Sequence, residues 1–188
     1  IVGGNTSSAK ASVTAKVSSE VDGAVFASVP GAVTVLTEAK SFALARVIEP
    51  TAAVTLVNVS LIKVEADAAG TFTASFKVGP GDSSVGSVSV KSVYTVYSRA
   101  KTGSAGGLNL SLANAKLNKA TANTSVAGNA GFGSGGKLEV SGDVLVMVDA
   151  IADAIADVAS PSLSVSGYGA AVNEVTANLN ASQNAYAF

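Results

Sequence analysis

The chain has 188 residues, no cysteine, no histidine and a formal net charge of −1. The lack of cysteine removes disulfides and thiolate metal sites, and the lack of histidine removes the commonest general base and metal ligand. Hydrophobic residues make up 48% but aromatic ones only 5% and charged ones 13%, so the apolar content is Ala and Val; the near-neutral balance argues against nucleic acid and anionic membranes, and the sequence holds no run of about 18 uncharged apolar residues that would predict a membrane span.

The chain opens Ile1-Val2-Gly3-Gly4-Asn5, the pattern at the start of an activated chymotrypsin-like protease, and Gly81-Asp82-Ser83 echoes a nucleophile loop. With no histidine, that mechanism has no base. Residues 1–30 instead read as the second half of a repeat.

The first arm that follows, Gly31 to Val47, alternates. Val33, Val35, Thr37, Ala39, Ser41, Ala43, Ala45 and Val47 form one small face, and Thr34, Leu36, Glu38, Lys40, Phe42, Leu44, Arg46 and Ile48 form the other. Period 2 predicts a strand packed on one side. A turn is expected at Ile48-Glu49-Pro50-Thr51. The return begins at Val54 and Leu56; near Asn58 to Leu61, and again near Asn114 to Leu117, the apolar parity slips by one, which predicts a corner or bulge that flips the faces. From Ile62 the arm alternates cleanly, with Ile62, Val64, Ala66, Ala68, Phe72, Ala74 and Phe76 on the inner face, and Gly79-Pro80-Gly81-Asp82 closes it.

This unit recurs. Gly31, Gly86 and Gly142 each precede x-Val-x-Val, and their offsets nearly agree (86 minus 31 is 55; 142 minus 86 is 56). Asn118 to Phe132 aligns with Asn173 to Phe188, and less closely with Ile62 to Phe76. Turns are expected again at 102–107 and 159–162, and a Gly-rich link at 133–136. The third first arm, Gly142 to Ala159, taken alone also fits an amphipathic helix, because Asp149, Asp153 and Asp157 recur at every fourth position among alanines. Aligned with its two counterparts it keeps only the period of 2, so it is read as a strand with its aspartates on the solvated face.

The chain is therefore read as a single repeat array, 1–188, with a partial copy at 1–30 and copies at 31–85, 86–141 and 142–188. Because it starts and ends mid-repeat, it is expected to be a segment of a longer array. Arms of about 16 residues span roughly 50 Å at about 3.3 Å per residue. The expected fold is all-β: a β-solenoid of about 55-residue repeats whose equivalent arms stack in parallel, the alternative being an antiparallel meander closing as a sandwich or barrel.

Gly-x-Val-x-Val, an alternating Ala/Ser/Val arm, a Gly-rich turn, an alternating return and the aromatic end Asn184-Ala185-Tyr186-Ala187-Phe188 resemble the repeat regions of large bacterial surface adhesins of the filamentous haemagglutinin and leukotoxin-like filamentous adhesin type. The resemblance implies a secreted, cell-surface β-solenoid fibre acting as a stalk or adhesive rod, with no catalytic residues to carry over. No secretion domain, anchor or binding tip is visible.

Three further patterns are weighed. Gly131-Phe132-Gly133-Ser134-Gly135-Gly136-Lys137 matches the first part of a phosphate-cradling loop, but Leu138 replaces the Ser or Thr such a loop needs, and a strand follows rather than a helix. The aspartates of 149–157 lie about 13 Å apart when they are four positions apart on a strand, too far to share one Ca²⁺. Asn-x-Ser/Thr acceptors occur at Asn5, Asn58, Asn109, Asn123 and Asn180, and in a secreted chain are candidate glycosylation sites, against the simpler reading of Ser/Thr/Asn-rich strand faces.

The expected function is a structural or adhesive segment of an extracellular fibre, not an enzyme, with no cofactor and no metal. Its expected partners are copies of itself or flanking repeats, and cell-surface glycans or proteins. One alternative is a filament subunit whose chains complete each other's sheets. A remote alternative is a polysaccharide-acting β-solenoid enzyme using the outward carboxylates.

Overall fold

The computed structural model describes residues 2–49, 53–104, 108–159 and 163–187. Its strands are β1 (Val2–Ala24), β2 (Val29–Glu49), β3 (Ala53–Val78), β4 (Ser83–Ser104), β5 (Leu108–Ser134), β6 (Leu138–Val140), β7 (Val144–Val158) and β8 (Leu163–Ala187). The turns expected after each first arm fall largely on residues 50–52, 105–107 and 160–162, outside the described residues, as does Phe188.

The fold follows the period-2 pattern. In the first arm Val35, Thr37, Ser41, Ala43 and Ala45 are buried while Leu36, Phe42 and Leu44 are exposed. β7 is a strand, not a helix, and its Asp149 lies on the exposed parity. Alanine is a good helix former, but a helix here would turn one side of the row Val148, Ala150, Ala152, Ala154 and Ala156 away from the core it packs against.

The strands form two sheets, one in the order β1-β3-β5-β8, the other β2-β4-β6 with β7 also on β4, and every pairing among the described residues is parallel. The antiparallel meander is thereby replaced: the chain crosses from one sheet to the other between long strands and returns to the first beside its own earlier equivalent. Val33 pairs Val88, which pairs Val144, so the three x-Val-x-Val arms are stacked neighbours. β1 pairs β3 as Val2 to Val57, placing the first residues among the second arms.

Small side chains let the sheets close on one another. The Thr37 hydroxyl donates to the Thr73 carbonyl at 2.7 Å, Ser92 to the Phe72 carbonyl at 3.2 Å and Thr124 to the Asp153 carbonyl at 2.6 Å, each reaching from one sheet to the backbone of the other. Around these bonds the described residues form two apolar clusters, one about Val64, Phe72, Tyr94 and Val96, the other about Phe76, Val85, Val88 and Val90. Phe26, Phe76 and Phe132 stack in sequence, with ring centroids 5.6 and 5.9 Å apart.

Two expectations are corrected. The parity slip near Asn58 and Asn114 makes no bulge: β3 and β5 keep one register on both sides of it, Asn58 opposite Asn114 and Leu61 opposite Leu117, although Leu56 opposite Leu112 is missing from the ladder. Instead the chemistry of the faces is exchanged, with Asn58, Ser60 and Asn114 buried and Val57, Val59, Leu61 and Leu117 exposed. Up to the skipped pair the side chains alternate the other way: the Thr55 and Ser111 hydroxyls are buried, whereas Val54, Leu56 and Leu112 are exposed. The second correction concerns the aromatic end: Phe132 pairs Ala187, and Tyr186 pairs Gly131.

One close approach is set by glycine. Tyr94 stacks on Phe72 with centroids 4.7 Å apart, and a Cβ on Gly128 would lie 2.7 Å from the Tyr94 hydroxyl. That hydroxyl is buried without a hydrogen-bond partner, and burial raises its pKa above 10.0. Gly128→Ala is expected to destabilise the fold by about 1–3 kcal/mol through overpacking. Tyr94→Phe, which removes an unsatisfied buried group, is expected to be neutral or stabilising by about 1 kcal/mol. Urea unfolding of the two variants checks both; a loss of stability in Tyr94→Phe would mean that the hydroxyl is satisfied.

Candidate functional surface

In a parallel, in-register pair each side chain stands beside its counterpart about 4.8 Å away. Polar groups therefore gather in columns. On the outer face of the β1-β3-β5-β8 sheet, the Lys10 ammonium meets Glu65 at 2.9 Å and Asp67 at 3.1 Å. Asn123 donates to Asp67 at 2.7 Å, and Asn178 donates to Asn123 at 2.8 Å. One column thus runs Asp67-Asn123-Asn178. Asn184 donates to Asn129 at 3.2 Å in a second, and Lys119 pairs Glu174 at 2.6 Å in a third. Facing the core, Asn58 donates to Asn114 at 3.4 Å and Asn118 to Asn173 at 2.9 Å.

Lys10, Glu65 and Asp67 are an amine beside two carboxylates, the set from which an amide crosslink could form. Their protonation opposes that chemistry. Hydrogen bonds to Glu65 and Asp67 raise Lys10 above 10.5, and the bond from Asn123 holds Asp67 below 3.8 with help from Lys10. Amide formation needs a neutral amine and a protonated acid, so the cluster is an ion pair. Among the described residues no three of His, Cys, Asp and Glu come together as a metal site, and no helix is long and apolar enough to cross a membrane.

The outer face of the β2-β4-β7 sheet has another character. Phe42 and Tyr97 stack with centroids 5.3 Å apart, beside Leu44 and Ile155. Phe42 is 63% and Leu44 64% exposed, and Leu36, Ile48, Leu145 and Ile151 are exposed as well. Charged rows interleave: Lys101 pairs Asp157 at 3.1 Å. A third feature is the start of the β3-β5-β8 sheet, where Val57, Val59, Tyr168 and Val172 are exposed. A shallow trough of about 490 Å³ crosses the middle of that sheet, lined by small residues such as Thr71, Ser125 and Ser182.

The asparagine acceptors are not brought together. Asn5 and Asn180 are exposed, Asn123 is half-buried with its amide engaged by Asp67, and Asn58 is buried on the inward parity. Asn109 lies in β5 opposite Ala53 and Ser164, with its side chain outside the described residues. A glycan on Asn58 would have to break the bond to Asn114 and open the layer that buries it.

Val2 to Asn5 are extended strand, paired with Val57 to Ser60. The Ser83 hydroxyl accepts from the Phe26 amide at 3.0 Å, a turn contact. Gly131 to Ser134 end β5, and Lys137 pairs Glu139 at 2.7 Å rather than closing over a cradle. The columns and the Phe42-Tyr97 stack went unread in the sequence, although the spacing that defines the repeat also names each partner. No family model, curated protein or solved structure matches the chain.

The Asp67 column gives a pH dependence. A carboxylate held below its ordinary pKa contributes stability that is complete above about 3.8 and is lost as pH falls through the lowered value. Asp67→Asn is therefore expected to lower stability slightly near pH 7, where Lys10 still keeps Glu65, and to flatten the acid limb so that the two forms converge below about pH 4. Thermal melts of both forms from pH 2 to 7 test this; parallel acid limbs would remove Asp67 from the account.

Proposed function

We propose that the chain is a structural β-solenoid segment of an extracellular surface fibre, a stalk or adhesive rod, and that it works through extended surfaces rather than a catalytic centre. The observation that carries this reading is the register: each second arm pairs in parallel with its equivalent one repeat on, over almost its whole length. A coil of that kind adds one strand to each sheet, about 4.8 Å of length per repeat, and can be extended without a new topology. Stability then scales with repeat number, which suits a rod and has no use in an enzyme built around one site. The resemblance of the repeats to those of large bacterial surface adhesins supports a location outside the cell. The partners on that reading are flanking repeats along the axis and cell-surface glycans or proteins on the faces.

The reading makes register the property to test. Deleting residues 65–120 joins Val64 to Thr121, and because Val64 stands opposite Ala120 the splice preserves every inward and outward position. This variant is expected to fold cooperatively, with the strand signal per residue unchanged and the long stack about 4.8 Å shorter in small-angle scattering. Deleting 65–119 instead flips the face of every residue downstream in that arm and is expected to aggregate or unfold. Equal behaviour of the two deletions would sink the coil reading.

A further inference from the structure

We propose that the outer face of the β2-β4-β7 sheet is a self-association surface, on which a second copy of this chain packs face to face with its stacking direction parallel. Side chains on this face stand in rows about 4.8 Å apart along the stack. A second copy carries the same spacing and the same rows, and the charges of the face complement themselves under one two-fold axis.

The pattern along the strands selects one two-fold axis. From the acidic end the rows read Glu38-Val93-Asp149, Lys40-Thr95-Ile151, Phe42-Tyr97-Asp153, Leu44-Arg99-Ile155 and Arg46-Lys101-Asp157. An axis along the stack through the Phe42 row reverses their order in the second copy. Glu38 then lies over Arg46, Lys40 over Leu44, Ile151 over Ile155, and the Phe42-Tyr97 stack over itself. The other in-plane axis, along the strands, sets Arg46 over Asp157 but also Glu38 over Asp149, Lys101 over itself and Phe42 over Asp153, opposing like charges in two rows and leaving the ring against a carboxylate. The selected axis has its own cost. Asp149 meets Asp157, which Lys101 already holds at 3.1 Å, and Asp153 meets itself.

The area is adequate. The β7 strand, Val144 to Val158, spans about 50 Å, and three strands cover about 15 Å across, giving roughly 700 Å² of face per copy. Specific interfaces bury about 600–1,000 Å² per partner. The exposed Leu36, Phe42, Leu44, Ile48, Ile151 and Ile155 supply its apolar part, whereas the central rows of the opposite sheet's outer face are mostly Ser, Thr, Asn and Ala with Asp67 and Lys16, its exposed Val57, Val59 and Leu61 lying toward the start of β3. Burying this face also covers an apolar surface that an isolated chain would expose to aggregation.

The chain holds no cysteine, so single-cysteine variants report cleanly. Sedimentation velocity of the unmodified chain at tens of micromolar is expected to show a dimer. A short bismaleimide is expected to crosslink Phe42→Cys between copies but not Ser18→Cys, which sits on the outer parity of β1. Leu44→Lys is expected to weaken association at least tenfold, and Asp153→Asn to strengthen it by removing the carboxylate that meets itself. Circular dichroism confirms that each variant keeps its strands. A folded chain that stays monomeric, crosslinking of Ser18→Cys as efficient as that of Phe42→Cys, or no gain from Asp153→Asn overturns the proposal. The deletion experiment on register is independent of these outcomes, so a rod without lateral pairing remains distinguishable.

Discussion

Every inward row of this chain must pack against its own repeat. In-register parallel stacking brings each position beside its equivalent in the next copy, so a residue is tolerated only if its column is tolerated. Valine beside valine and alanine beside alanine satisfy that rule in the core, as do phenylalanines that stack. Outside, like charges do not. Lys63 and Lys119 stand side by side in register, and each turns to an acid, Lys63 to Glu65 at 3.5 Å and Lys119 to Glu174 at 2.6 Å. Amides escape the conflict because they donate and accept at once, which is why asparagine can stand beside asparagine, Asn58 with Asn114, Asn118 with Asn173 and Asn129 with Asn184, and can bridge Asp67 to Asn178 through Asn123. The low charged content of the sequence follows from the same rule.

The second consequence is thinness. Alanine, serine and threonine on the facing rows allow a hydroxyl of one sheet to reach a carbonyl of the other, at Thr37, Ser92 and Thr124. A row of leucines would hold the sheets about 10 Å apart and break those bonds. Thin packing weakens the apolar contribution: a buried alanine removes little area from water, at about 25 cal/mol per Å². Cohesion comes from the ladders and from the few places where a large ring fits. Such a ring needs a missing Cβ nearby, as Tyr94 does at Gly128. The fold thus distributes its volume unevenly, with aromatic knots at Phe72-Tyr94 and Phe26-Phe76-Phe132 along an otherwise slender pair of sheets.

Much of this was legible in the residues. The spacing of Gly31, Gly86 and Gly142 identified stacked neighbours, and the period of 2 separated inner from outer residues wherever the inner ones were apolar. It failed where they were not. At Asn58, Ser60 and Asn114 the buried side is polar, with Asn58 and Asn114 bonded within their own column, while Val57, Val59 and Leu61 face out. A hydropathy pattern reads that exchange as a slip in parity, since it has no way to represent a buried amide whose partner is the same amide one repeat away. The outer surfaces were legible only in principle. Pairing Asp67 with Asn123, or Phe42 with Tyr97, needs the register of the stack applied to polar and exposed positions as well as to the core.

The same geometry bears on what such a chain can do. A catalytic constellation requires different groups converging within about 3 Å on one reacting atom. Stacked repeats instead deliver equivalents, set out in columns about 4.8 Å apart and pointing the same way. Where unlike groups do meet, as at Lys10, Glu65 and Asp67, their proximity strengthens the charged states and ties them to each other. What a column does well is present one chemistry repeatedly along a line, and a flat face made of several columns recognises a partner by periodicity as much as by composition. The two outer faces differ on that basis: the middle of the β1-β3-β5-β8 face is tied by its own amide and ion-pair columns, with apolar rows such as Val57, Val59 and Leu61 exposed toward the start of β3, whereas the β2-β4-β7 face leaves apolar rows uncovered between charges of opposite sign at its two ends.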